Sequence, residues 1–151
     1  MKKQAIFGEE KNVDMGAMIR PKISEKNRYW IEKHRYYELK HFCLQYSSWK
    51  KTYLALDGFS KKSNELITST NTPGDPTAKC AITKEYYSNR IQMVEQAAIG
   101  ADAELYSYIL KGVTEGLSYT HLKASLNIPC SKDTYYDRYR RFFWLLHNTR
   151  N

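Results

Sequence analysis

Residues 131–141 carry side chains whose types and spacing suit the recognition of DNA. The stretch reads SKDTYYDRYRR, with three arginines within four positions. The planar fork of an arginine can bond both major-groove acceptors of a guanine or grip a phosphate. Free N–H groups at a helix N-terminus bind phosphate, as do serine and lysine beside them. The candidate DNA-binding residues are Ser131, Lys132, Thr134, Asp137, Arg138, Arg140 and Arg141.

These residues lie on a predicted helix with two unlike faces. Successive helical residues are rotated by about 100°, which groups the large apolar side chains on roughly a third of the circumference. The predicted core face consists of Tyr135, Tyr136, Tyr139, Phe142, Phe143 and Leu146. The arginines and Thr134 then occupy the opposite and flanking faces, with Arg140 at the margin. A packing helix or a protein-binding face also fits this pattern, with Asp137–Arg141 and Asp133–Arg140 as surface ion pairs.

The elements before this helix predict a helix-turn-helix over about residues 117–148. Gly116 ends one helix, and Ser118 caps a short helix from Tyr119 to about Leu126. The sequence Asn-Ile-Pro at 127–129 stops that helix, because proline lacks an N–H and its ring clashes inside a helix. Ser131 or Asp133 caps the long terminal helix. A short helix, a tight turn and a second helix form this motif.

The segment resembles the fourth region of bacterial sigma factors and the phage-encoded activators that keep that region. The matching features are Gly-Leu-Ser-Tyr at 116–119, Leu122, Leu-Asn-Ile at 126–128, Ser131 and the basic helix through Arg141. In that family a short helix precedes a serine-capped turn and an arginine-bearing recognition helix. The turn between Ile128 and Thr134 is about two residues longer here. The resemblance implies an all-α regulator that docks its last helix in DNA.

The rest of the chain is also predicted to be helical. An amphipathic helix is expected from Asn27, with a second one capped by Ser47 or Ser48 and stopped at 57–58. Pro73-Gly74 suits a type II turn, and Asp75-Pro76 a helix start. A long helix then runs from Thr77 to about Ala98, with Ile82, Tyr86 or Tyr87, Ile91, Val94 and Ala98 at helical spacing. Gly100 breaks it and Asp102 caps the next helix. No window alternates as a strand does.

Four segments follow from these patterns. Residues 1–23 are predicted to form a loosely ordered, mildly basic arm, and 24–58 a helical hairpin. Residues 59–76 are predicted to be a connector loop, and 77–151 a helical domain that ends in the helix-turn-helix. The expected fold is therefore an all-α bundle with the DNA-reading motif at its C-terminal end.

Composition favours a polyanionic partner and provides no sign of catalysis. The 151 residues carry a net charge of +8 and 13 tyrosines, and a basic protein attracts nucleic acid. Three scattered cysteines without a C-x-x-C pair predict buried thiols in a reducing cytoplasm. No apolar run is long enough to cross a membrane. No phosphate-binding loop, nucleophile elbow or zinc-protease motif occurs.

One group of histidines could in principle bind a metal. His34, Glu38 and His41 share a helix face, on a stripe with Trp30 and Tyr37 that we predict to be partly buried. The apolar residues Ile31, Leu39 and Phe42 widen this stripe. No further ligand is identifiable, so hydrogen-bonded histidines are the favoured interpretation. We therefore expect neither a metal nor a cofactor, and no enzymatic activity.

The leading hypothesis is a sequence-specific DNA-binding protein, a transcriptional regulator of phage or prophage type that acts on double-stranded DNA in the cytoplasm. One alternative is a DNA-packaging subunit like a phage small terminase, which carries the same motif but works as a ring. Another is a module that grips host transcription machinery, such as RNA polymerase, through residues 29–56. An exposed aromatic stripe in residues 29–56 would also favour a homodimer.

Overall fold

Six α-helices account for most of residues 25–66 and 76–150, the part of the chain that the computed structural model describes. They are α1 (Lys33–Leu44), α2 (Tyr46–Leu66), α3 (Pro76–Ala101), α4 (Tyr106–Glu115), α5 (Tyr119–Leu126) and α6 (Lys132–Thr149). No β-strand occurs in this part of the chain, which confirms the all-α prediction. None of its helices has both the length and the apolar character that crossing a bilayer requires. The predicted arm at 1–23 lies outside the described residues.

The first helix begins later than the sequence pattern predicted. Residues 25–29 form turns, in which the Asn27 side chain accepts a hydrogen bond from the Tyr29 N–H at 2.8 Å. Such side-chain bonds compete with the helical ladder and favour a turn. The Glu32 carboxylate then caps α1 by accepting the N–H groups of His34 and Arg35 at 2.8 and 3.1 Å. The predicted start at Asn27 was therefore wrong by six residues.

The buried face of α1 confirms only one edge of the predicted stripe, since Leu39 and Phe42 are buried as predicted but the histidines are not. Its buried side chains are Tyr36, Leu39, Phe42 and Cys43. His34 and His41 are exposed, so the prediction that they are partly buried was wrong. Tyr36, Leu39 and Cys43 can be buried with few hydrogen-bond partners, because their side chains are largely apolar. Two buried imidazole rings would need several such partners. Among the described residues, no group of three or more potential ligands is arranged to hold a metal ion.

The second helix is longer than predicted at both ends. It begins at Tyr46, so Ser47 and Ser48 lie inside its first turn and are not caps. It then continues through Gly58 to Leu66, although the sequence predicted a stop at 57–58 and a loop from 59. Contacts with α3 explain the extension, since tertiary packing overrides the weak helix propensity of glycine. The rest of the predicted connector, including the turn at 73–74 and the cap at 75, lies outside the described residues.

Helices α2 and α3 pack antiparallel, since Tyr46 at the start of α2 bonds Glu95 late in α3, while Asp57 further along α2 bonds Lys84 earlier in α3. Lys84 Nζ lies 2.8 Å from Asp57 Oδ1, and Cys80 Sγ lies 3.6 Å from the Leu56 carbonyl. Proline 76 is the first residue of α3, as the sequence predicted. The predicted break at Gly100 was premature by one residue, because α3 ends at Ala101.

The inward face of α3 changes along the helix. Apart from Cys80 near its start, its buried side chains lie towards the C-terminal end and are Ile91, Val94, Ala97, Ala98 and Ala101. Ile82 and Tyr86 were predicted to belong to this face, but they are 68% and 49% exposed. A Cβ on Gly100 would lie 3.2 Å from Leu145 Cδ1, so α6 approaches α3 closely at that point. Small side chains permit this approach.

The core forms around α6, which contacts α1, α3, α4 and α5. All six side chains of its predicted core face are buried, which confirms that prediction. The Tyr36 and Tyr139 hydroxyls lie 2.7 Å apart and supply each other's hydrogen bond inside the core. Two of the three thiols, Cys43 and Cys80, are buried as predicted. Burial raises the pKa of Cys43 far above its usual value.

Candidate nucleic-acid interface

Four residues set the helix ends between Gly116 and the start of α6. Gly116 ends α4 with φ 70°, a conformation that glycine adopts without strain. The Ser118 hydroxyl accepts the His121 N–H at 3.2 Å and caps α5. Asn127 ends α5 with φ 50°. The Ser131 hydroxyl accepts the Thr134 N–H at 3.2 Å and caps α6. The predicted bounds of α5 and the predicted start of α6 are confirmed.

Side-chain bonds fix α5 against the turn and against α6. Tyr119 makes two of them: its N–H donates to the Tyr136 hydroxyl at 3.1 Å, and its hydroxyl donates to the Cys130 carbonyl at 2.7 Å. Lys123 Nζ lies 3.3 Å from the Ile128 carbonyl. Ile128 and Leu122 are fully buried. The turn therefore has a defined conformation, held by hydrogen bonds and by an apolar contact surface.

The docking of α6 on α4 depends on a glycine. Tyr135 is fully buried, and its hydroxyl occupies the space that a Cβ on Gly112 would need. Burial, together with the neighbouring Tyr136, raises the pKa of Tyr135 above its usual value, so the phenol stays neutral. Any side chain at 112 would push α6 outwards and change the position of its N-terminal turns.

The first turn of α6 presents polar groups to solvent. Ser131, Lys132 and Asp133 are exposed, while Thr134 is half-buried with its hydroxyl 3.0 Å from that of Ser131. The N–H groups that open a helix attract anions, and Lys132 adds a full positive charge beside them. The exposed Lys132 favours an anion at this end of α6 and the exposed Asp133 opposes one, so the phosphate contact stays a prediction.

Arg138 is engaged inside the protein. Its Nε donates to Asp102 at 2.9 Å and its Nη1 to Asp137 at 2.5 Å. Asp102 also accepts the N–H groups of Glu104 and Leu105, each at 2.9 Å, and so caps the turn between α3 and α4. Although partial burial opposes ionisation, the Leu105 N–H and the Arg138 guanidinium lower the pKa of Asp102. Arg138 thus fastens α6 to the α3–α4 turn.

Arg140 and Arg141 lie on different sides of α6. Arg141 lies about 160° around the helix axis from Tyr139, on the face opposite the core, whereas Arg140 is only about 100° away. The Arg140 Nε is buried and has no hydrogen-bond partner among the described residues. The surface pairs Asp137–Arg141 and Asp133–Arg140 do not occur; the Asp137 carboxylate bonds Arg138. Neither arginine has a carboxylate within 4.0 Å among the described residues.

Sequence reasoning missed three features of this surface. It assigned Asp102 only as a cap, and the ion pair with Arg138 spans 36 positions of sequence, so no local pattern could reveal it. It also omitted Thr120 and His121, which are exposed in the first turn of α5. Their place directly after the Ser118 cap was the available signal. Residues 116–150 contain six Lys/Arg and two Asp/Glu, so the surface is basic.

Comparisons of this chain with protein-family models, with curated proteins and with solved structures found no match.

Proposed function

We propose that this chain binds double-stranded DNA in a sequence-specific manner and regulates transcription, as phage-encoded activators with a sigma-like helix-turn-helix do. The observation that carries the proposal is the arrangement of α5, its turn and α6. A serine-capped helix follows a fixed turn, and its first turn exposes Lys132 beside free N–H groups. This arrangement suits a recognition helix in the major groove. Work on transcription would place the protein in the cytoplasm.

The proposed contacts divide into phosphate contacts and base contacts. Ser131, Lys132 and the N-terminus of α6 would hold a backbone phosphate, which positions the helix but reads no sequence. Arg141, on the face opposite the core, and the half-buried Thr134 on its flank would read base edges, since arginine bonds guanine through two donors. Arg138, with Asp137, acts as a positioning residue because its donors already bond carboxylates. Arg140 lies at the margin and would reach a flanking phosphate.

Selection of bound duplexes from a random pool tests the proposal, followed by affinity measurements on the selected site. Arg141→Ala should weaken binding of that site by about 1–3 kcal/mol, roughly 5- to 150-fold, and change random DNA much less. Lys132→Ala should weaken both DNAs alike and reduce the salt slope by about one unit. Lys51→Ala, which removes an exposed charge from α2, is the matched control.

Two outcomes would contradict the proposal. If Arg141→Ala and Lys51→Ala bind the selected duplex equally well, α6 does not read bases. If light scattering shows a ring of many subunits, the packaging function is favoured over regulation. A monomer or dimer would agree with the regulator, whereas RNA polymerase that co-purifies without any DNA shift at low salt would favour the interaction module.

Burial of most aromatic side chains in residues 29–56 removes the sequence-based argument for a dimer there. The aromatic residues of 29–56 mostly face the chain's own core, with Tyr29, Tyr36, Phe42, Tyr46 and Trp49 all buried. An exposed aromatic stripe is therefore not present there. Dimerisation through residues 29–56 stays a prediction without that support.

A further inference from the structure

A groove of about 350 Å³ lies between α1, α2 and α3, beside the residue that follows α6. Its accessible aromatic side chains are Tyr86, which is 49% exposed, and the half-buried Tyr87, whose rings meet edge to face at 5.2 Å between centroids, whereas Phe42 and Trp49 beneath them are buried. Arg90 and Arg150 flank the opening, and no carboxylate of the described residues lines it. A volume of this size falls within the range of about 300–1,000 Å³ for small-molecule sites.

Both arginines are held by stacking on aromatic rings. The Arg90 guanidinium carbon lies 3.7 Å from the Tyr86 ring centroid, and that of Arg150 lies 3.9 Å from the Phe42 centroid. Stacking uses the face of a guanidinium and leaves its N–H edge available for in-plane acceptors. The two forks are therefore pre-oriented at one groove, which lowers the entropy cost of binding an anion.

Competition from carboxylates in the protein is weak. No carboxylate of the described residues lies within 4.0 Å of the Arg90 guanidinium. Arg150 has Glu38 at 3.8 Å, but this carboxylate is 56% exposed and also pairs with Arg35. An exposed ion pair at that distance contributes little and yields readily to a ligand with more acceptors. Both positive charges are thus available to an incoming anion.

We propose that this groove binds a nucleotide unit, with its phosphate between the two arginines and its base against the Tyr86 and Tyr87 side chains. A phosphate offers several acceptor oxygens and matches the arginine fork in a bidentate way. A bare phosphate would leave most of the groove unfilled, whereas a planar base can stack on a guanidinium or an aromatic ring. The Ser48 hydroxyl and the Gln45 amide, both exposed at the groove, add neutral polar groups for the sugar or base.

This site is separate from the surface proposed to read duplex DNA. Arg150 follows the C-terminus of α6 and Lys132 begins that helix of 18 residues, so the two are roughly 25 Å apart at 1.5 Å per residue. The nucleotide site therefore does not rest on the proposed DNA function. Its ligand could be a free mononucleotide or the phosphorylated end of a strand, which share the same chemistry.

Calorimetric titration of the full chain with adenosine 5′-monophosphate tests the proposal. We expect saturable one-to-one binding, which Arg90→Gln and Arg150→Gln each weaken at least tenfold. Arg90→Lys should not restore it, because lysine keeps the charge but lacks the planar fork. Lys51→Gln removes an exposed charge elsewhere on α2 and should bind as the parent does. Circular dichroism checks that every variant is folded.

Related ligands show whether the site recognises the base, the phosphate or both parts of the nucleotide. Adenosine and inorganic phosphate should each bind at least tenfold more weakly than the nucleotide, since each lacks one half of it. A tetranucleotide with a 5′-phosphate, compared with the same strand without it, distinguishes a strand end from a free nucleotide. Phosphate-dependent binding of the strand supports the former, and binding of the mononucleotide alone the latter.

The proposal is overturned if the mononucleotide does not bind at millimolar concentration. It is also overturned if Arg90→Gln and Lys51→Gln bind with the same affinity. Equal binding of inorganic phosphate or of an acidic peptide would mean that the groove recognises charge alone, and that outcome contradicts a nucleotide site as well.

Discussion

Two helical regions of this protein are held by different forces. α6 contributes six buried large side chains to the core, including Phe142 and Leu146, which are fully buried. The outer α2–α3 segment, residues 53–58 and 77–86, leaves Leu54 and Ile82 64% and 68% exposed. Its contacts include the Lys84–Asp57 ion pair at 2.8 Å, and apart from Cys80 none of its side chains is buried. Exposed ion pairs contribute little free energy, whereas burial contributes much. We therefore expect opening of the outer segment to precede loss of α6.

A leucine-to-alanine substitution in α6 and one in the outer α2–α3 segment should differ most in their effect on the free energy of unfolding. Leu146→Ala removes a fully buried side chain and should lower the free energy of unfolding by about 2–5 kcal/mol. Leu54→Ala changes a mostly exposed side chain and should stay within about 0.5 kcal/mol of the parent. Urea titration followed by circular dichroism measures both. Similar losses for the two variants would show that the outer segment carries as much of the stability as α6.

Overpacking of the contact between α4 and α6 tests the contribution of the core further. Gly112→Ala places a methyl group where the Tyr135 hydroxyl lies, and such overpacking should cost about 1–3 kcal/mol of stability. Tyr135→Phe removes the clashing hydroxyl, which has no hydrogen-bond partner among the described residues. The double variant should therefore recover part of the loss. Strictly additive effects in the double-mutant cycle would mean that these two side chains do not compete for space.

Helix ends that depend on local hydrogen bonds could be predicted from the sequence, whereas helix ends that depend on contacts between distant residues could not. Between Gly116 and Ser131 the helix ends depend on hydrogen bonds over three or four residues, and the sequence predicted them correctly. The end of α2 depends on contacts with α3, such as Asp57 with Lys84, which no local pattern records. Within the candidate site, the exposed Ser131 and Lys132 were predictable from the cap. The engagement of Arg138 by Asp102 was not, because the two residues are distant in sequence.

That ion pair provides a prediction about pH. The pKa of Asp102 is lowered in the folded state, so its stabilising contribution is present above the unfolded value of about 3.9 and is lost as pH falls through the lower folded value. Arg138→Gln should cost about 1 kcal/mol near neutral pH, since the pair is partly exposed. The difference from the parent should shrink below about pH 4. A difference that stays constant from pH 7 to pH 3 would exclude Asp102 as the partner that matters.

Serines near the starts of α6 and α2 provide the prediction with the smallest expected effect. Ser131 caps α6 and bonds the Thr134 N–H, whereas Ser47 lies inside the first turn of α2. Ser131→Ala should therefore cost about 0.5–1 kcal/mol. Ser47→Ala should be neutral or slightly stabilising, because alanine is the better residue within a helix. Equal costs would mean that Ser47 acts as a cap after all and that α2 begins later than Tyr46. A cost confined to Ser131 would show that the hydrogen bond from the Thr134 N–H to the Ser131 hydroxyl stabilises the first turn of α6. The start of α2, which follows α1 directly, would then need no serine cap.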